Sequence, residues 1–126
     1  MPLEITGLSP MLKVSNLAQT IKFYTQTLGF TVQNQMNDDS GKPSWCALKW
    51  GVASLMFYSA ESLDQPPGPS AMTGVVYFNP ADVRALWEHL RDRAEVAWPV
   101  LEMPYGMLEF SIFDCNGYIL SFGQEV

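Results

Sequence analysis

Asn16-Leu17-Ala18-Gln19-Thr20-Ile21-Lys22-Phe23-Tyr24-Thr25-Gln26-Thr27-Leu28-Gly29 places Leu17, Ile21, Tyr24 and Leu28 at successive offsets of 4, 3 and 4. That spacing gathers four apolar side chains on one face of a helix. Ser15-Asn16 supplies an N-cap, and Gly29 reads as a C-cap that tolerates the left-handed conformation closing a helix. The same phase returns later: Val83, Trp87 and Leu90 follow Leu17, Ile21 and Tyr24 at a constant offset of 66, with Leu86 on the same face. In a chain of 126 residues that offset is close to half the length. An internal duplication explains it better than chance.

Working outward from the two helices, strands fill the rest of each half. Pro10–Val14 precedes the first helix, and Phe30–Gln35, Ser44–Trp50 and Val52–Tyr58 follow it, with Met36–Pro43 as a polar hairpin loop and Gly51 as a hinge. Gln65-Pro66-Pro67-Gly68-Pro69 can continue neither a helix nor an inner strand and reads as a linker. Beyond it, Gly74–Phe78 is a strand and Asn79-Pro80 caps the second helix. Ala94–Val100 is a strand ended by Pro99, and Met107–Phe113 and Tyr118–Gln124 form a hairpin around Asp114-Cys115-Asn116-Gly117, whose Asn-Gly supplies positive φ. The expected fold is α+β: two tandem βαβββ modules forming a curved mixed sheet around a cleft, helices outside. Residues 1–126 make a single domain, with module one at about 7–60, a linker at about 61–72 and module two at about 73–125.

Composition narrows the partners. Apolar residues make up 48% and charged residues only 16%, against a typical ~25% charged. Few charges are left to cover a surface, so a subunit interface is expected. The net charge of −6, with seven scattered basic residues, excludes a phosphate-backbone partner, since nucleic-acid affinity comes from clustered Lys and Arg. Met1–Lys13 has neither the basic region nor the apolar run of a signal peptide, and runs such as Val75–Phe78 are far too short to span a bilayer. Cys46 and Cys115 stand in no metal-type spacing; two free buried thiols in a cytoplasmic protein is the preferred reading over a single pairing.

The chain resembles the vicinal oxygen chelate superfamily, the glyoxalase, bleomycin-resistance and extradiol dioxygenase group, over nearly its whole length. The resemblance rests on Met11-Leu12-Lys13-Val14-Ser15-Asn16-Leu17, on Phe23-Tyr24 with Leu28-Gly29-Phe30, and on Phe110-Ser111-Ile112-Phe113-Asp114-Cys115-Asn116-Gly117-Tyr118. Cys115 stands where the family's hairpin usually has proline, a change that touches turn rigidity rather than chemistry. Members with enzymatic activity hold a divalent ion on His, Gln or Glu side chains that point into the cleft. By resemblance those four positions fall at Ser9, Met56, Val75 (or Thr73 on a shifted alignment) and Ser121. Serine hydroxyls are weak neutral ligands, valine offers nothing, and a thioether suits Cu(I) rather than harder divalent ions. His89, the single histidine, sits on the second helix and reads as a solvated residue. No metal and no other cofactor is expected, and the resemblance is closest to the metal-free bleomycin-resistance-like branch.

Strand alternation sorts what would line the cleft instead. With Leu55 and Phe57 as the core pair, Ser54, Met56 and Tyr58 face the cleft. With Phe110 and Ile112 in core phase, Met107, Glu109, Ser111 and Phe113 look inward. Leu120 and Phe122 face the helices, leaving Ile119, Ser121 and Gly123 toward the cleft. Trp45 and Trp50 have opposite phases, so one of them, taken as Trp45, reaches the site. Tyr105-Gly106, before the Met107–Phe113 strand, resembles the family's aromatic-glycine loop at the cleft rim. A buried carboxylate needs a partner, so Glu109 is expected to meet Lys13, reach solvent or bind a cation.

Methionine, aromatic and small hydroxyl groups around one carboxylate suit a flat or amphipathic organic molecule. The function expected is therefore sequestration of an organic ligand, cationic or aromatic, in a metal-free cleft. The expected assembly is a homodimer, with antibiotic resistance as the biological setting. The alternative is a superfamily lyase, isomerase or dioxygenase with displaced ligands, which requires Glu109, Glu61 or Asp64 to converge. A third is a subunit or regulator acting only through assembly.

Overall fold

The computed structural model of the chain describes residue 3 and residues 7–60 and 74–126. The Pro-rich linker, with Glu61, Asp64 and Thr73, lies outside the described residues. In chain order come β1 (Met11–Val14), α1 (Leu17–Lys22), β2 (Thr31–Asn37), β3 (Pro43–Trp50) and β4 (Ala53–Ser59), then β5 (Val75–Phe78), α2 (Val83–Leu90), β6 (Glu95–Glu102), β7 (Met107–Phe113) and β8 (Ile119–Glu125). They form two four-stranded sheets, ordered β1-β4-β3-β2 and β5-β8-β7-β6. In each sheet the first strand pairs in parallel with the last and the other pairs are antiparallel. The topology therefore repeats with the helix phase, and the α+β assignment with tandem modules holds. No helix among the described residues is long and apolar enough to cross a membrane.

The alternation of side chains builds the core. Leu55 and Phe57 on β4, Phe110 and Ile112 on β7, and Leu120 and Phe122 on β8 are all buried. Leu17, Tyr24, Val83 and Leu90 meet them from the helices, and all ten belong to one cluster shared by the two halves. Phe30 links the halves directly, with its ring 5.4 Å from Trp50 and 6.0 Å from Phe78. Burying a Leu- or Phe-sized side chain contributes roughly 1.5–3 kcal/mol, so this cluster dominates stability. Each sheet thus has one face on the common core and one turned away from it.

Five local expectations are corrected. The first helix does not stay α-helical to Leu28: Phe23–Leu28 is π-helical, and Gly29 N–H donates to the carbonyl of Tyr24, five residues back. The wider turn keeps Tyr24 and Leu28 both buried. Gly29 does not close the helix in the left-handed well (its φ is 159°); a side chain there would come within 3.2 Å of the Trp50 indole, and close approach is what requires glycine. The second helix is capped by Asp82, which accepts from Ala85 N–H at 3.1 Å, not by Asn79-Pro80. Strand β6 runs through Pro99 to Glu102, because it lies at the sheet edge, where a missing donor is tolerated, and its register slips around Trp98. Finally, β2 and β3 extend into the expected 36–43 loop; Asp38 Oδ1 closes the shorter turn by accepting from Ser40 and Lys42 N–H.

Candidate functional site

Glu109 sits on β7 opposite Gly123 of β8 and Leu101 of β6, on the face turned away from the core. Gly123 has no side chain, and a Cβ built there would fall 1.8 Å from the Tyr77 hydroxyl. That gap lets Tyr77, from the edge strand β5, extend across β8 and donate to Glu109 Oε2 at 2.5 Å. Tyr105 donates to Oε1 at 2.5 Å from the turn before β7, a turn in which Gly106 takes a φ of +83°. Glu109 is left 7% exposed, whereas Tyr77 and Tyr105 are 42% and 63% exposed. Of the partners expected for Glu109, Lys13 is not the one chosen. Among the described residues the ion pairs are those of Arg91 with Glu88 and Asp92. Two neutral phenols hold the carboxylate instead.

The tyrosines carry the electrostatic imprint of that arrangement. Desolvation, then the hydrogen bond and charge of Glu109, push the Tyr77 phenol up to about 12. For Tyr105 the hydrogen bond to Glu109 is the largest cause and raises the phenol as well. Both groups are neutral donors across the physiological range.

The other expected residues divide between the two sheets. On the second sheet, Ser111 and Ser121 are buried and share a 2.7 Å hydrogen bond. Phe113 pairs with Ile119, and Met107 sits at the β8 end opposite Glu125. On the first sheet, Trp45 lies opposite Tyr58, Met56 lies between Met11 and Ala47, and Ser54 bonds Ser9 at 3.1 Å. Trp50 instead packs in the core against Phe30, so Trp45 is the tryptophan of the outer face. Hydrogen bonds link residues within each group, and among the described residues none links the groups to each other. Tyr77 escaped the sequence reading, although its phase matches Val75 and a glycine inside β8 marks a close approach.

The four positions at which the resemblance puts metal ligands do not fit a divalent ion. The Ser9 hydroxyl is engaged with Ser54 and the Ser121 hydroxyl with Ser111; Val75 carries no donor, and Met56 offers a soft thioether. Among the described residues no three His, Cys, Asp or Glu side chains come together. His89 is exposed on α2. It borders a cavity of about 760 Å³ with Trp50, Tyr77, Phe78, Asp82, Leu86 and Phe122. None of the ten expected site residues lines that cavity. Cys46 and Cys115 are both free thiols, but only Cys46 is buried as expected; Cys115, in the hairpin turn, is half-buried.

Among solved structures, the chain is similar to TnmS3, an antibiotic binding protein from Streptomyces sp. CB03234, with 21% identity and a TM-score of 0.73 over 99% of this chain and 100% of that one. It is similar to TioX from Micromonospora sp. ML1, with 16% identity and a TM-score of 0.78 over 96% and 99%. A glyoxalase-related enzyme from Clostridium phytofermentans gives 16% identity and a TM-score of 0.79 over 98% of each chain. At such identities these likenesses show a shared fold. No curated protein sequence matches the chain. Residues 8–122 match the family described as Glyoxalase/Bleomycin resistance protein/Dioxygenase superfamily, and the chain belongs to it.

Proposed function

We propose that the protein is a cytoplasmic, non-catalytic binding protein that sequesters a small drug-like organic molecule on the outer sheet faces. It acts as a homodimer in which a second copy covers those faces. The observation that carries this reading is the outer surface itself. Met11, Met36, Val75, Trp98 and Leu101 are large apolar side chains left more than 40% exposed. Soluble proteins seldom leave such side chains grouped unless something binds over them. The hydroxyls beside them are engaged with one another, which supplies positioning but neither a nucleophile nor a metal donor set. The antibiotic-binding likeness of TnmS3 supports the same reading.

A thermal-shift screen across neutral, cationic and anionic aromatic compounds tests it. The expected result is stabilisation that saturates with concentration for at least one class. Light scattering is expected to give twice the 14.1 kDa chain mass. A monomer at micromolar concentration removes the homodimer. A screen with no hit in any class removes the binding function.

A further inference from the structure

We infer that Tyr77, Tyr105 and Glu109 form a receptor for an organic ammonium group, so the sequestered molecule carries a tertiary or quaternary nitrogen beside its apolar body. The inference rests on the outer face of the second sheet being the ligand-binding face.

Glu109 is a buried carboxylate whose partners are two neutral hydroxyls, each at 2.5 Å. Hydrogen bonds from phenols satisfy its oxygens but leave its charge uncompensated, and a buried charge without a counter-charge is costly. Among the described residues no lysine or arginine pairs with it. The two groups that hold it are also the two that a cation prefers. Tyr77 and Tyr105 are both partly open to solvent beside the carboxylate, and aromatic faces attract ammonium groups, most strongly when water is displaced. Gly123 leaves room for the Tyr77 phenol to lie over β8 against Glu109, which sets the ring directly beside the carboxylate. Leu101, paired with Glu109 on the neighbouring strand, supplies an apolar neighbour for the rest of the molecule. An anion at this place meets a like charge. A neutral ligand gains at most a hydrogen bond from the carboxylate.

Choline and its uncharged carbon isostere dimethylbutanol, titrated separately against the full-length protein and followed by amide-resolved NMR, separate charge from shape. The wild type is expected to bind choline at least about tenfold more tightly than the isostere, and Glu109→Gln to abolish that preference. Tyr77→Phe and Tyr105→Phe retain the rings and are expected to keep binding within about threefold, whereas Tyr77→Leu loses roughly tenfold. The same spectra report whether each variant is folded, and the phenylalanine variants keep the test open if Glu109→Gln is not. Equal affinity for both probes overturns the inference, as does a preference that survives in Glu109→Gln. If choline fails while a neutral aromatic from the thermal screen binds, the ammonium receptor is wrong and the binding function stands. If Glu109→Gln halves the particle mass and choline never binds, the carboxylate serves an intersubunit ion pair and the inference falls.

Discussion

The phenol of Tyr24 donates a 2.7 Å hydrogen bond to Asp114 Oδ2 across 90 positions of the chain. Both groups are buried, and the second oxygen of Asp114 accepts from the N–H groups of Asn116 and Tyr118, each at 2.8 Å. Tyr118 returns the contact by donating to the carbonyl of Lys13. Each half thus reaches a tyrosine hydroxyl into the other, and the hairpin turn after β7 is shaped by the same carboxylate that receives the π-helical tyrosine.

Tyr24→Phe removes the donor and leaves Asp114 Oδ2 buried without it. The expected loss is about 1–3 kcal/mol of stability, the usual penalty for orphaning a buried polar atom. Urea denaturation, with midpoint and slope compared to wild type, checks it; an unchanged midpoint would show that water satisfies the oxygen.

Alkaline titration is expected to show Tyr77 as a late phenol. Its folded value is raised to about 12 from 10.0, so the neutral form is favoured in the folded state. The stabilisation is complete below the unfolded value and disappears as pH climbs from 10.0 toward 12. Burial raises the Tyr24 phenol as well, so phenolate absorbance should lose one late step, not all of them, in Tyr77→Phe, and the fall in stability over that window should flatten.

Gly123→Ala places a methyl group where the Tyr77 hydroxyl now lies. Because Tyr77 is exposed, the ring swings outward rather than the strand moving, and the bond to Glu109 breaks. The expected outcome is a folded protein in which the Tyr77 phenol titrates closer to 10.0. A phenol still titrating near 12 contradicts the geometry.

Protein prepared without chelators is expected to carry no stoichiometric divalent metal, because the hydroxyls of Ser9 and Ser121 are engaged with Ser54 and Ser111. Elemental analysis finding one Zn, Ni, Fe or Mn per chain would mean that another set of residues binds it.

The duplication was legible because helix periodicity and strand alternation are properties of neighbouring residues, and burial enforces both. Leu17 and Val83, or Phe57 and Phe122, had to be apolar at fixed phase for either half to fold. The same alternation set Glu109 and Ser111 on one face. Alternation says nothing about reach, however. That Tyr77 crosses β8 to Glu109 depends on the missing side chain at Gly123, 46 positions away in the chain, and on sheet order. The π-helical turn escaped for a related reason: apolar offsets of 4 and 3 read alike for two helix types. Pro99 misled because edge and inner strands cannot be told apart before the sheet order is known.

The common core also bears on ancestry. An isolated half would lose the contact of Phe30 with Phe78 and the hydrogen bond of Tyr24 to Asp114, both of which join the halves. A single module of this kind would recover those contacts by pairing with another like itself. Joining two copies replaced a bimolecular encounter with a tethered one, whose effective concentration no longer depends on how much protein the cell makes. Once tethered, the halves were free to diverge, and the positions now held by Trp45 and Glu109 could take different chemistry without dissolving the pair.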